Sequence, residues 1–269
     1  MNKYEDMIVI FLDVLGSKEM SSFEEKYKIH RIFHESVKQN QDLQDSKEKE
    51  HVIYTRKLFS FSDCAYIFYK YKPNIDESRK NLNKLFQVAL FNTSLMTLQL
   101  LNEGYLIRGG ATYGSAYFDE LSFFGPAVED AYLLESKKAV TPRILIDPKF
   151  GEKLLTHEKI VYDEVYGASS PYYNVLPKRS YIPTIVMPDG ADFILNTAYI
   201  LEMEGSISLG GISISHSELK ANIVASISVK MERYKSDAKI TDKLRWMKNY
   251  IESSTLSLES ESTSFTQLL

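Results

Sequence analysis

MIVIFLDVLG, residues 7–16, is a run of apolar side chains interrupted once, by Asp13, and closed by Gly16. The nine residues 7–15 are rich in Ile and Val and too few for a long helix, so they read as a buried strand. Gly16 and Ser17 break it. An aspartate at the end of such a strand is costly unless its charge is compensated. Two readings are open for Asp13. It caps a strand–helix turn, or it holds a divalent metal. The loop that follows, Val14-Leu15-Gly16-Ser17-Lys18, can turn backbone N–H groups toward an anion where a helix starts.

Outward from this strand, Phe23, Tyr27, Ile32, Phe33 and Val37 recur at helical spacing within a charged stretch from Phe23 to about Lys49, predicting one or two helices. Residues 51–60 and 64–71 are β-branched and aromatic and are separated by Ser62-Asp63, a hairpin pattern. Asp76 is a candidate cap for a helix reaching about Asn102, with Leu82, Leu85, Phe86, Ala89, Leu90 and Leu95 on its buried side and Gly104 at its end. Strands are expected at 105–112, 115–118 and 143–147, with a helix at 126–138 between them. Further strand-like pieces lie at 160–166 and 193–200. The glycine-rich stretch 205–211 precedes a helical region from about 215 to 252. The resulting order, β-α-β-β-α-β-β-α-β, predicts an α+β sandwich with helices on one face of a mostly antiparallel sheet. Residues 1–150 are read as the core and 151–252 as its C-terminal extension. The Ser-, Thr- and Glu-rich segment 253–269 is read as a disordered tail.

Composition narrows the function. Of 269 residues, 44% are hydrophobic and 25% charged, with a net charge of −4. That balance argues against a protein built to grip nucleic acid. It leaves a small polyphosphate open, because a bound cation supplies its own local charge. One cysteine, Cys64, excludes an internal disulfide and a cysteine-based zinc site and points to a reducing cytoplasm. No apolar stretch is long enough to cross a bilayer, and the N-terminus lacks the pattern of a signal peptide.

Asp63, at the tip of its hairpin, is by itself an ordinary turn residue. With Asp13 it forms a pair: one carboxylate closes a central strand, and the other lies on a hairpin that can pair beside it. Two such groups repel unless a cation bridges them. A pair of metals held this way can activate a hydroxyl and stabilise a leaving oxygen in phosphoryl transfer.

The segments IFLDVLGSK, FSFSDCAYIFY, YLIRGGATYGSAYFD, FFGPAVEDAYLLES and PRILID, in this order over residues 7–147, resemble the class III nucleotidyl cyclase catalytic domain. They look most like the pyrimidine cyclases of the bacterial Pycsar antiphage system. The resemblance implies a ferredoxin-like sandwich in which Asp13, Asp63 and the Val14 backbone hold two Mg²⁺ or Mn²⁺ ions. It implies a nucleoside triphosphate substrate contacted by Val14, Leu15, Gly16 and Ser17, a homodimer with sites at the interface, and a separate effector that binds the cyclic product.

The chain departs from the purine cyclase pattern at three positions. Glu129 and Leu133 fall where an Asn and an Arg would steady the transition state. Either another cation substitutes or the domain is catalytically silent: as the substitute Arg143 is preferred, with Arg108, Lys137 and Lys138 as alternatives, and a surface ion pair is the competing role for Arg143. Phe59 falls where a base-reading lysine would stand. It can stack on a base or narrow the pocket, and a narrowed pocket would favour a one-ring base, with Tyr54 and Arg56 on the same strand as hydrogen-bonding candidates. His30 and His34, at i and i+4 on one helix face, form a weak metal candidate without a third ligand. Gly109, Gly110 and Gly114 read as places where a helix or a substrate approaches the sheet closely. The basic residues between Arg233 and Lys248 read as a solvated helix face. Trp246, Met247, Tyr250 and Ile251 are expected to pack against the body or a second subunit.

Overall fold

The computed structural model describes residues 3–17, 20–45, 52–171, 174, 184–203, 205–209 and 211–254, with backbone alone for 36–45. The apolar run is β1 (Glu5–Val14), and it is followed by α1 (Phe23–Asp45), β2 (Tyr54–Phe61), β3 (Cys64–Tyr71), α2 (Leu82–Asn102) and β4 (Ile107–Phe118). These six elements form a ferredoxin-like unit in which β1 lies between β3 and β4, antiparallel to both. The short β5 (Phe123–Phe124), α3 (Pro126–Lys138) and β6 (Ile144–Ile146) follow, and β6 pairs with β4 in parallel. Beyond α4 (Pro148–Tyr166), β7 (Val186–Asp189) and β8 (Asp192–Leu195) complete a sheet ordered β2-β3-β1-β4-β6-β8-β7. β9 (Ser206–Leu209) and β10 (Ile212–Ser215) form a separate hairpin, and α5 (His216–Arg233) and α6 (Ala238–Ser253) close the described chain. The fold is α+β with a mainly antiparallel sheet, as the sequence predicts.

Alternation along β1 builds two cores. Ile8, Ile10, Leu12 and Val14 face α1, α2 and α4, while Met7, Val9 and Phe11 meet α3 and a group of aromatic rings. Helices therefore cover both faces, and the expectation of a single helical face is corrected. The reason is the parallel β4–β6 step, which carries α3 across the second face. Each of these side chains contributes about 1.5–3 kcal/mol when fully buried. A second layer forms on the far side of α2, where Leu98 and Leu101 pack with Leu219, Ile223, Ile227, Leu244, Met247 and Ile251 of α5 and α6. That explains why α2 is apolar around most of its circumference. Trp246 and Tyr250 pack against this layer with their rings stacked 5.5 Å apart. Of the basic C-terminal residues, Arg245 and Lys248 form exposed ion pairs with Asp242 and Glu252 along α6.

Several boundaries differ from the sequence reading. Residues 160–166 are the last turns of α4, because Asp147 caps that helix, Pro148 starts it and Phe150, Leu154 and Leu155 keep helical spacing against the core. Residues 193–195 are strand, but 197–202 are a 3-10 turn. The segments read as two strands, 105–112 and 115–118, are one strand, β4. Asp76 caps a short 3-10 turn at 77–79, and Asn81 caps α2 through the Lys84 N–H at 3.1 Å. Gly104, at φ +78°, closes α2 as expected, with the Tyr105 N–H reaching back to the Leu100 carbonyl at 2.9 Å. Of the segment read as a tail, Ser253 ends α6; 255–269 lie outside the described residues, as do 46–51.

Two features of this packing are testable. Gly110 faces α3, and a Cβ there would stand 2.2 Å from the Ala131 carbonyl oxygen and 2.8 Å from Leu134 Cβ. Gly110→Ala must push α3 off the sheet, so a loss of roughly 2–3 kcal/mol and a melting temperature lower by about 5–10 °C are expected in thermal denaturation. An unchanged melt would mean α3 is not seated as described. The other feature is Glu202, 6% exposed at the end of the 3-10 turn 197–202. It accepts a hydrogen bond from Asn196 Nδ2 at 3.2 Å, and Asn196 Oδ1 accepts from the Tyr250 hydroxyl at 2.6 Å. Burial pushes the Glu202 carboxyl up to about 7, against the pull of Asn196 and Lys220. A raised carboxyl favours the fold fully below its ordinary range, and that contribution is lost as pH rises through about 7. Glu202→Gln keeps the acceptor without the charge. It should melt higher than the parent at pH 8, by on the order of 2 kcal/mol, and equally at pH 4. The same difference at both pH values would remove burial as the cause.

Candidate active site

The central strand ends in a charged row. Asp13 stands opposite Cys64 of β3 and opposite Arg108 of β4, so all three side chains leave the same face, the one covered by α3. Beside it the hairpin turns through Ser62, at φ +57°, and Asp63. The Val14 N–H donates to the Asp63 carbonyl at 3.0 Å, and the Ser17 hydroxyl donates to the Asp63 carboxylate. The Leu15 N–H donates to the Leu106 carbonyl at 2.8 Å, and Gly16 takes φ +79°. The loop 14–17 is thereby pinned between the two strand ends. The structure brings Asp13, Val14, Leu15, Gly16, Ser17 and Asp63 to one edge of the sheet.

Charge is dense here. One Arg108 nitrogen, Nη2, lies 3.0 Å from Asp13 Oδ2 and 2.7 Å from Glu135 Oε1, the second contact an ion pair without hydrogen-bond alignment. Its Nη1 donates to the Ala139 carbonyl at 3.2 Å. Glu135, on α3, is 4% exposed. Burial raises its pKa above the ordinary carboxylate range, Arg108 opposes that, and Asp13 adds to it. Burial also pushes the Cys64 thiol up, followed by the charges of Asp63 and then Asp13. The thiol thus lies within the field of both aspartates.

The next row inward is aromatic. Phe59 pairs with Tyr66 across the hairpin, and Tyr66 with Phe11 of β1. Tyr66 lies 4.7 Å from Phe11 and 4.8 Å from Phe123, and Phe59 lies 4.9 Å from Phe123. Tyr132 of α3 stands edge-on to Phe11 at 5.6 Å and is half exposed. Burial, more than its charged neighbours, pushes the Tyr66 hydroxyl up to about 12, so it stays a neutral donor at any ordinary pH.

No protein-family model and no curated protein sequence matches the chain. Among solved structures it is similar to the monomeric guanylyl cyclase domain of the RhoGC fusion protein from the aquatic fungus Blastocladiella emersonii, at 16% identity over 58% of this chain and 90% of that one, with a TM-score of 0.38. It is also similar to the catalytic core of a rhodopsin-guanylyl cyclase of converted specificity in complex with ATPalphaS, at 13% identity, 72% and 96% coverage and a TM-score of 0.38. A bacterial light-regulated adenylyl cyclase gives 11%, 73% and 92%, with a TM-score of 0.37.

Among the described residues no three His, Cys, Asp or Glu side chains converge as a ready metal cage. A magnesium-type site asks for less, because one or two carboxylates suffice when water and substrate phosphates fill the remaining positions. Asp13 and Asp63, hard oxygen donors at one strand edge, fit that requirement. His30 and His34 have rings 4.3 Å apart on the exposed side of α1, and His34 Nε2 lies 2.8 Å from Ser60 Oγ.

Other expected residues lie elsewhere. Strand alternation sends Tyr54 and Arg56 to the opposite face from Phe59; Tyr54 packs against the core under α1 and α2, and Arg56 is buried beside Tyr69. Neither joins Asp13. Glu129 and Leu133 point outward from α3. Arg143 reaches the row, since its carbonyl accepts from the Gly109 N–H at 3.1 Å, but its guanidinium pairs with Asp189 and lies 3.6 Å from Asp192. Glu135 and Tyr66 were missed by the sequence reading. Glu135 left one signal: it is the acidic member of an otherwise small, apolar stripe with Ala127 and Ala131. Among the described residues no helix is long and apolar enough to cross a membrane.

Arg143→Ala leaves Asp189 and Asp192 unpaired at the β7–β8 turn. A loss of roughly 1–3 kcal/mol is expected in chemical denaturation, partly recovered when both aspartates are also changed to Asn. An unaltered midpoint would mean the pairing carries no structural weight.

Proposed function

We propose that the chain is a nucleotidyl cyclase that converts a nucleoside triphosphate, UTP or CTP, to the 3′,5′-cyclic nucleotide with release of pyrophosphate. The supporting observation is that Asp13, at the end of a doubly buried strand, and Asp63, on the neighbouring hairpin, are adjacent: Asp13 pairs with Cys64, and the Val14 N–H donates to the Asp63 carbonyl. The ordered motifs over residues 7–147 support the same reading.

In this reading Asp13 and Asp63 hold divalent cations together with the Val14 backbone, and Ser17 fixes the Asp63 carboxylate. The cations, Mg²⁺ or Mn²⁺, supply Lewis acidity toward the ribose 3′-hydroxyl and charge neutralisation for the phosphates. The loop 14–17 offers its backbone to the triphosphate, with Gly16 keeping the approach open. Asp13 and Glu135 share one guanidinium, Arg108, and Asp63, held by Ser17, adds a further carboxylate at the same strand ends, which leaves the site negative and suited to cations. The rings of Phe59, Tyr66 and Phe123, tilted by 41° and 45° across the two contacts to Phe123, form an aromatic cluster one row inward from Asp13. In this reading a base stacks there, and Phe59, where purine cyclases carry a base-reading lysine, favours a one-ring base. Two copies of the chain complete the site, and a separate effector reads the product in a defence role, as the motif resemblance implies.

A second reading is a catalytically silent cyclase-like module. It is favoured by the outward positions of Glu129 and Leu133 and by the Arg108 contact on Asp13. Incubation with each labelled triphosphate and Mn²⁺, followed by chromatography, separates the two. The expected outcome is a cyclic pyrimidine nucleotide and pyrophosphate, with turnover reduced at least about a thousandfold in Asp13→Ala and Asp63→Ala while their melts stay near the parent's. A cyclic purine would move the specificity, and no product from any triphosphate would leave the silent module.

A further inference from the structure

Arg108 is shared unequally between its two carboxylates. Glu135 is 4% exposed and lies in the apolar layer under α3, so releasing its counter-charge would strand a buried anion. The Asp13 side chain retains 24% of its surface, at the open edge of the sheet, where water or a cation can replace the guanidinium. The Ala139 carbonyl, at 3.2 Å, tethers Arg108 on the Glu135 side. Of its contacts, the one to Asp13 is the one that can be given up.

We infer that Arg108 is a built-in competitor of the metal at Asp13, and that Glu135 is the positioning residue that draws the guanidinium aside when the cation arrives. This inference rests on the cyclase reading of the site. It assigns a regulatory role to the cluster: in the resting chain Arg108 neutralises Asp13, and a cation entering with a polyphosphate displaces it toward Glu135 and Ala139. Arg108 and Glu135 then decide how readily the site loads, separately from any chemistry it performs.

Mn²⁺ binding to the full chain without nucleotide, followed by electron paramagnetic resonance of the free ion, tests this. Asp13→Ala should lose the binding; if it binds as the parent does, the site reading itself fails. With that loss established, Arg108→Gln should bind Mn²⁺ about tenfold more tightly than the parent, the equivalent of one charged hydrogen bond removed from Asp13. Glu135→Gln should bind about tenfold more weakly, since Asp13 is then the one carboxylate left to Arg108 in this cluster. The double variant separates mechanisms: if Glu135 acts through Arg108, Glu135→Gln has no further effect in the Arg108→Gln background. Glu135→Asp, which keeps the charge, should recover most of the parent affinity. Circular-dichroism melts check folding, and Arg108→Lys, too short to serve both carboxylates, replaces Arg108→Gln if that variant unfolds. Unchanged or weaker Mn²⁺ binding in the folded Arg108 variant, or an undiminished Glu135→Gln effect in the double variant, overturns the inference.

Discussion

A strand buried on both faces can place a charge only at its end, and that constraint on β1 organises the molecule. Register with β3 on one side and β4 on the other fixes every residue from Glu5 to Val14. Seven of those side chains are spent on two cores. Asp13 falls where the strand leaves them, so its carboxylate is held to within the precision of the sheet while remaining open to solvent. The Asp63 hairpin is positioned by the same pairing, because the Asp13–Cys64 register brings the turn alongside.

The surroundings of Asp13 then follow from the second face. α3 is pressed onto the sheet at Gly110, where no side chain intervenes, and this brings Glu135 down to Arg108. A helix seated farther out would leave Glu135 without its cation. The aromatic rings one row inward exclude water from the same side, which strengthens every charge interaction at the edge. The charged row and the aromatic row are successive layers of one sheet face, set two residues apart along each strand.

On the opposite face, α2 connects this site to the C-terminal helices. It packs on the sheet with one side and on α5 and α6 with the other. The extension beyond residue 150 supplies β7 and β8 to the main sheet and a second wall to α2, and the buried Glu202–Asn196–Tyr250 group sits within that wall.

Sequence alone determined the elements whose signal is local. The apolar run with Asp13 in it, the hairpin at Ser62-Asp63, the body of α2 and its glycine end, though not its first residue, and the α+β class were legible, because period and turn chemistry act over a few residues. Tertiary structure decided what depends on faces and neighbours. Tyr54 and Phe59 share a strand, yet alternation and the direction of burial put them on opposite sides. Residues 160–166 carry strand-forming side chains but continue a capped helix whose apolar stripe faces the core. Along the chain Arg143 is the preferred cation and Arg108 an alternative; only the lateral order of strands sets Arg108 beside Asp13 and hands Arg143 to Asp189. Glu135 gained its partner because α3 crosses the second face. Contacts between residues distant in the chain depend on how whole elements pack, and no local pattern encodes them.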